Sequence, residues 1–135
     1  MATGISVPFP KDIIFGAPTV FQEISLADQT ASTSAQTLTA ACRFISAYIS
    51  IKTYVVGNAS VGPIFQLLAS SAVGMTTPVN IGPPITMTNT ASATLTQCLQ
   101  LQGMLPTAAG LGFIQVTVTL NGTSSIAYDI VFDAV

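Results

Sequence analysis

The chain has 135 residues, of which 6% are charged and 50% hydrophobic, with a net charge of −2 and neither histidine nor tryptophan. Soluble domains average about 25% charged residues. Three bases, Lys11, Arg43 and Lys52, cannot neutralise a run of phosphates, which argues against nucleic acid as a partner. The missing histidine removes Ser-His-Asp and Cys-His catalysis and the usual zinc ligands.

Residues 1–19 read as an extended N-terminal arm, with 20–135 as a single β domain. Pro8, Pro10 and Pro18 prevent a helix there and favour extended chain. The arm nevertheless carries Ile5, Val7, Phe9, Ile13, Ile14 and Phe15, with Lys11 and Asp12 as its only charges. Large apolar side chains gain nothing on a free tail, so the arm is expected to lie on this domain or on a neighbour. The start, MATGISVPFPKD, lacks the basic patch, apolar run and cleavage site of a secretory signal, which predicts cytosolic synthesis.

Period-two alternation then predicts strands. VFQEISLA (20–27) places Val20, Gln22, Ile24 and Leu26 on one side, and DQTASTSAQ (28–36) reads as a loop. CRFISAYISIKTYVV (42–56) is the longest strand signal. Ile45, Ala47, Ile49, Ile51 and Val55 are predicted to face one way, and Phe44, Ser46, Tyr48, Ser50, Lys52 and Tyr54 the other. Its length exceeds an average strand, so a bend or bulge is expected.

After the turn GNASVGP comes PIFQLLAS (63–70), a strand signal whose core IFQLLASSA is also compatible with one or two helical turns. The Pro-rich loop SAVGMTTPVNIGPP follows, then ITMTN, and then ATLTQCLQLQ (93–102), which alternates Leu95, Gln97, Leu99 and Leu101 against Thr96, Cys98 and Gln100. GMLPTAAG reads as a connector. GFIQVTVTL (112–120) and SSIAYDIVF (124–132) alternate cleanly, and Asn121-Gly122 between them supplies the positive backbone angles of a two-residue hairpin. About eight short strands separated by Gly, Pro and Asn turns predict an all-β antiparallel β-sandwich or jelly roll with an extended N-terminal arm.

A membrane partner is not expected. A spanning helix needs about 20 consecutive apolar residues. The most apolar stretch, Ile64 to Met75, is broken by Gln66, Ser70 and Ser71. The short strands also fit a transmembrane barrel poorly.

No catalytic residues, cofactor site or metal site are predicted. Asp129 and Asp133 share a strand face roughly 13 Å apart, wider than a glycosidase pair requires. Asp12, Glu23 and Asp28 lack a calcium-loop spacing. Cys42 and Cys98 are expected as buried thiols, with a disulfide between them possible but not required. The sequons Asn58-Ala-Ser and Asn121-Gly-Thr lack a secretory context, and Asn121 is better explained as a turn residue. Arg43 is read either as an interface cation or as a surface residue.

Assembly is what remains. Interface cores are depleted in charge, and an apolar arm plus an apolar loop suit burial against other subunits. The expected interface residues are Ile5, Val7, Phe9, Ile13 and Phe15 in the arm, with Val73, Met75, Val79 and Ile81 as a second contact. The alternative is that both segments complete this domain's own core.

The stretch TASTSAQTLTA, the β-rich body and the closing segment GFIQVTVTLNGTSSIAYDIVF resemble the small jelly-roll decoration (cement) proteins of tailed-phage heads. The resemblance covers residues 20–135 in style and rests on no diagnostic motif. It implies a structural virion protein without catalysis, a homotrimer seated on the capsid exterior that bridges neighbouring major capsid proteins, with the host cytoplasm as the place of assembly. The Pro-rich arm and the scarcity of charge depart from the commoner pattern. Two other readings stand beside it: another structural virion component, such as a jelly-roll coat, tail or fibre-like protein, and a carbohydrate- or receptor-binding sandwich using Tyr48 and Tyr54 on a shared strand face.

Overall fold

The computed structural model describes residues 22–39, 42–91, 97–106 and 110–135. The arm therefore lies outside the described residues, as do Val20, Leu95 and Thr96. Among the described residues nine strands form, in chain order β1 (Gln22–Gln29), β2 (Gln36–Thr37), β3 (Phe44–Val55), β4 (Ile64–Ser70), β5 (Val79–Asn80), β6 (Ile85–Thr86), β7 (Gln97–Met104), β8 (Phe113–Thr119) and β9 (Ser125–Ala134). IFQLLASSA holds no helical turn. Its first seven residues form β4, where Phe65, Leu67 and Ala69 alternate inward.

The strands make two antiparallel sheets, sheet A in the order β1-β9-β3-β7 and sheet B in the order β2-β8-β4-β5, with β6 also paired to β4. Strands close in sequence are thus shared out between the two sheets, which is the double-sheet Greek-key order of a jelly roll. The period-two pattern makes this possible, because each strand offers one apolar face. β9 is the clearest case: Ile126, Tyr128, Ile130, Phe132 and Ala134 are buried, and the residues between them are not.

The core lies between the sheets. Ile45, Ala47, Ile49 and Ile51 of β3 and the inward face of β9 meet Phe65 and Leu67 of β4 and Ile114 and Val116 of β8. Phe65 and Tyr128 contact edge to face across the sandwich, with ring centroids 5.4 Å apart at 87°.

Three sequence expectations are corrected. Asn121-Gly122 does form a turn: Gly122 has φ +60°, and the Ser124 N–H reaches the Asn121 carbonyl at 3.3 Å. It does not join a hairpin, however, since β8 lies in sheet B and β9 in sheet A. The turn carries the chain from one layer to the other, so both apolar faces look at each other across the core. The two sequon segments interlock at this end. Asn58 Oδ1 accepts from the Thr123 N–H at 2.7 Å, and Asn121 Oδ1 accepts from the Ser60 N–H at 2.9 Å.

The second correction concerns β3. Its ladder with β9 shifts register between Ile51 and Thr53, so Lys52 is the extra residue of a bulge. Alternation inverts beyond it: Tyr54 is buried at 1% exposure and Val55 is exposed at 56%, the reverse of the expected facing. The Tyr54 hydroxyl donates to Asn89 Oδ1 at 2.7 Å, and Asn89 Nδ2 donates to the Ala59 carbonyl at 3.0 Å. Tyr48 and Tyr54 therefore share no face, and the carbohydrate reading loses its aromatic pair.

Third, Cys42 is buried but Cys98 is exposed, and both are free thiols. Cys98 pairs with Ser50 in the β3–β7 ladder, about 26 Å along the strand from Cys42. A disulfide requires Cα atoms within about 7 Å. Burial raises the pKa of the Cys42 thiol.

The polar segment before β2 has a structural role its composition did not reveal. Thr33 is buried. Its N–H donates to the Val116 carbonyl at 2.9 Å, and its hydroxyl accepts from the Val116 N–H at 3.1 Å. Ser32 Oγ accepts from the Val118 N–H at 2.9 Å. Small hydroxyl residues thus finish the edge of β8 where β2 is too short to do so.

The Tyr128 hydroxyl donates to the Ala31 carbonyl at 2.6 Å, tying this segment to sheet A. Burial pushes the Tyr128 phenol from 10.0 up to about 12. Between those values the unfolded chain releases a proton that the native state keeps, so stability falls as pH rises. The contribution is full below pH 10 and is lost toward pH 12. Lys52 acts in the same sense: its hydrogen bond to Asp28, then the charge of Asp129, raises its pKa above 10.5. The urea midpoint should therefore fall from about pH 9 to 11. Tyr128→Phe should flatten that fall and cost about 1 kcal/mol at neutral pH for the lost hydrogen bond. Urea titrations of both proteins across this range check it.

Candidate interaction surface

The outward residues of sheet A form cross-strand rows. Glu23, Asp133, Ser46 and Gln102 make one, and Ser25, Val131, Tyr48 and Gln100 the next but one. Glu23 faces Asp133 directly, a like-charged pair of the kind that opposes strand pairing. Asp133 Oδ1 is buried with no hydrogen-bond partner among the described residues. Further along β9, Asp129 joins two irregularities. The β1 ladder is bulged between Leu26 and Gln29, where Asp28 has φ +55°, and the β3 bulge lies on the other side of β9. Asp129 Oδ1 accepts from the Asp28 N–H at 2.9 Å and lies 3.7 Å from Lys52 Nζ, which also bonds Asp28. Asp129 therefore ties the two bulges together and is not presented as a free carboxylate. Among the described residues no group of three or more metal-ligating side chains converges.

At the end of sheet A where the arm attaches, the outer face turns apolar. Phe44 pairs with Met104, and the Phe44 N–H donates to the Val135 carbonyl at 2.9 Å. Met104 is 66% exposed and Val135 43%. Tyr48, at 42%, stands two outward rows away. Sequence reasoning missed this cluster because GMLPTAAG read as a connector, although the parity of Cys98, Gln100 and Gln102 already pointed Met104 outward.

The expected second contact divides. Val73 and Val79 are exposed, Met75 is half-buried with φ +52°, and Ile81 is buried. The Ile81 N–H donates to the Leu67 carbonyl at 2.8 Å, which holds its side chain inside the core. Ile81 therefore belongs to the domain's own packing, not to a contact surface. Ser70 Oγ donates to the Thr76 carbonyl at 2.8 Å, fixing the loop that displays Val73. Ile5, Val7, Phe9, Ile13 and Phe15 lie outside the described residues. Arg43 is exposed.

No protein-family model and no curated protein sequence matches this chain.

Proposed function

We propose that the chain is a structural virion protein that decorates and cements the outside of a phage capsid, bridging neighbouring major capsid proteins without catalysis. The supporting observation is a jelly-roll body with very little charge whose exposed apolar side chains include Met104 and Val135 beside the half-buried Phe44 at one end of sheet A, Val73 on the loop before β5 and Val79 at the start of β5. Contiguous apolar surface of this kind marks contact with other macromolecules. The arm supplies further apolar side chains for the same purpose, and a homotrimer on the capsid exterior is the arrangement that the family resemblance implies. The action is mechanical: a molecule that binds only the assembled shell stabilises it by mass action.

The test is co-sedimentation with expanded capsids. The full chain should pellet with them at a fixed copy number and raise their dissociation temperature, while a chain lacking residues 1–15 should stay folded and remain in the supernatant. Absence of binding by the full chain would remove the decoration reading. The same strand order also favours a jelly-roll coat, tail or fibre-like component. A copy number equal to that of the shell-forming protein, or particles formed by this chain alone, would point there.

A further inference from the structure

The sheet edges are not equally protected. In sheet A, β1 is an edge strand carrying Glu23 and a bulge. In sheet B, β2, β5 and β6 are two residues each, and the β8 edge beyond β2 is finished by Ser32 and Thr33. Short, charged or bulged edges resist pairing with other chains. β7 has none of these devices. It runs eight residues, QCLQLQGM, without a charge or a proline. Its ladder with β3 has no register shift, and among the described residues it pairs with β3 alone. Only its far end is closed, where Gly82 and Gly103 let the backbones meet: a Cβ on Gly82 would lie 2.1 Å from the Gln102 carbonyl oxygen. Beside the remaining stretch is an open groove of about 340 Å³ lined by Pro83, Ile85, Gln100, Leu101 and Gln102.

The arm holds a segment made for such an edge. In an extended strand the N–H groups of alternate residues point to the same edge and their side chains to the same face. In ISVPFP, Ile5, Val7 and Phe9 share one face and one edge. Pro8 and Pro10 share the other edge, where they have no N–H to give. The segment can therefore pair along one side only, the position that proline tolerates in sheets. It has an apolar face for the groove and a terminating back.

We propose that Ile5–Phe9 of a neighbouring copy adds to the open edge of β7 as a fifth strand of sheet A, seating Val7 and Phe9 against Pro83, Ile85 and Leu101. A neighbour is favoured over the same chain by where the arm starts. β1 is the opposite edge of the sheet from β7, three strand spacings or about 14 Å away. Gln22 pairs with Ala134, so β1 begins at the end of the sheet and its N-terminal direction points away from it. Extended chain from Gln22 back to Phe9 spans about 40 Å, more than the roughly 37 Å diameter of a body this size. Binding its own β7 would require a reversal. The inference stands whether or not the protein sits on a capsid.

Two proline substitutions in the full chain test it, one residue apart. Val7→Pro removes an N–H from the pairing edge and should raise the dissociation constant of the oligomer by about tenfold or more. Ser6→Pro adds a proline to the edge that already has two and should leave the constant unchanged. Light scattering on a sizing column reads both. Ser6→Cys, on the outward face of the added strand, should form a disulfide with the native Cys98 of another chain when the protein is oxidised by dissolved oxygen with a copper catalyst, giving a ladder of linked chains that Cys98→Ser abolishes. A monomeric wild-type protein overturns the proposal. So does an oligomer indifferent to both prolines, as pairing of one β7 with another would give. A Ser6→Cys link confined to one chain, or no link at all, overturns it too.

Discussion

Phe65→Ala is expected to destabilise the domain by about 3–5 kcal/mol, the range for removing a large buried ring. Phe65 is fully buried on β4, and its ring meets Tyr128 of the opposite sheet edge-on. Two terms add. Loss of the ring returns its transfer energy and leaves a cavity between layers whose spacing of about 10 Å is held by every other facing pair. The edge-to-face contact contributes a further 0.5–1.5 kcal/mol or so. Against a total of about 5–15 kcal/mol for a typical domain, the variant should be largely unfolded at moderate urea. Phe65→Leu, which keeps most of the volume, should lose far less. The urea midpoints of the three proteins decide it, and a loss below about 1 kcal/mol for the alanine variant would mean that the ring does not join the sheets.

The strands of this core were legible because period two reports which side chains turn inward. The same signal is silent on partners. GFIQVTVTL and SSIAYDIVF read as a hairpin because Asn121-Gly122 encodes backbone angles, and a turn between layers uses those angles as well as a turn within one sheet does. The β3 bulge was foreseeable from strand length, but its position was not. Lys52 is set as the extra residue by Asp28 and Asp129, which lie far from it in sequence. Tyr54 and Val55 exchanged faces for that reason. Thr33 read as loop because a hydroxyl that completes a neighbouring strand has no periodicity of its own. Of the expected interface residues, Val73 and Val79 are on the surface. Ile81 is not, because the residue after it is a glycine that draws the chain against β7.

That glycine carries the second large effect. Gly82→Ala is expected to cost about 3 kcal/mol or more, from left-handed strain and overpacking together. Its φ is +71°, and the added methyl would sit 2.1 Å from the Gln102 carbonyl oxygen. That atom is backbone of a paired strand and cannot swing aside. Gly110 separates the two contributions: it has φ +58° but nothing within 4 Å of the same methyl, so Gly110→Ala should lose only about 1–2 kcal/mol. The excess at Gly82 measures how closely the turn of sheet B is pressed onto the edge of sheet A. The strain has a direction as well as a size. Relief requires the Ile81–Pro83 turn to move off β7, which would lift Ile81 from the core and splay Pro83 away from Leu101. Hydrogen exchange should therefore rise at Gln100–Met104 and Ile81–Gly82 in Gly82→Ala, while the amides of β9, at the centre of sheet A, stay protected. Equal losses for the two alanine variants, with unchanged exchange along β7, would show that the glycine contact does not close the Gln102–Gly103 end of that edge.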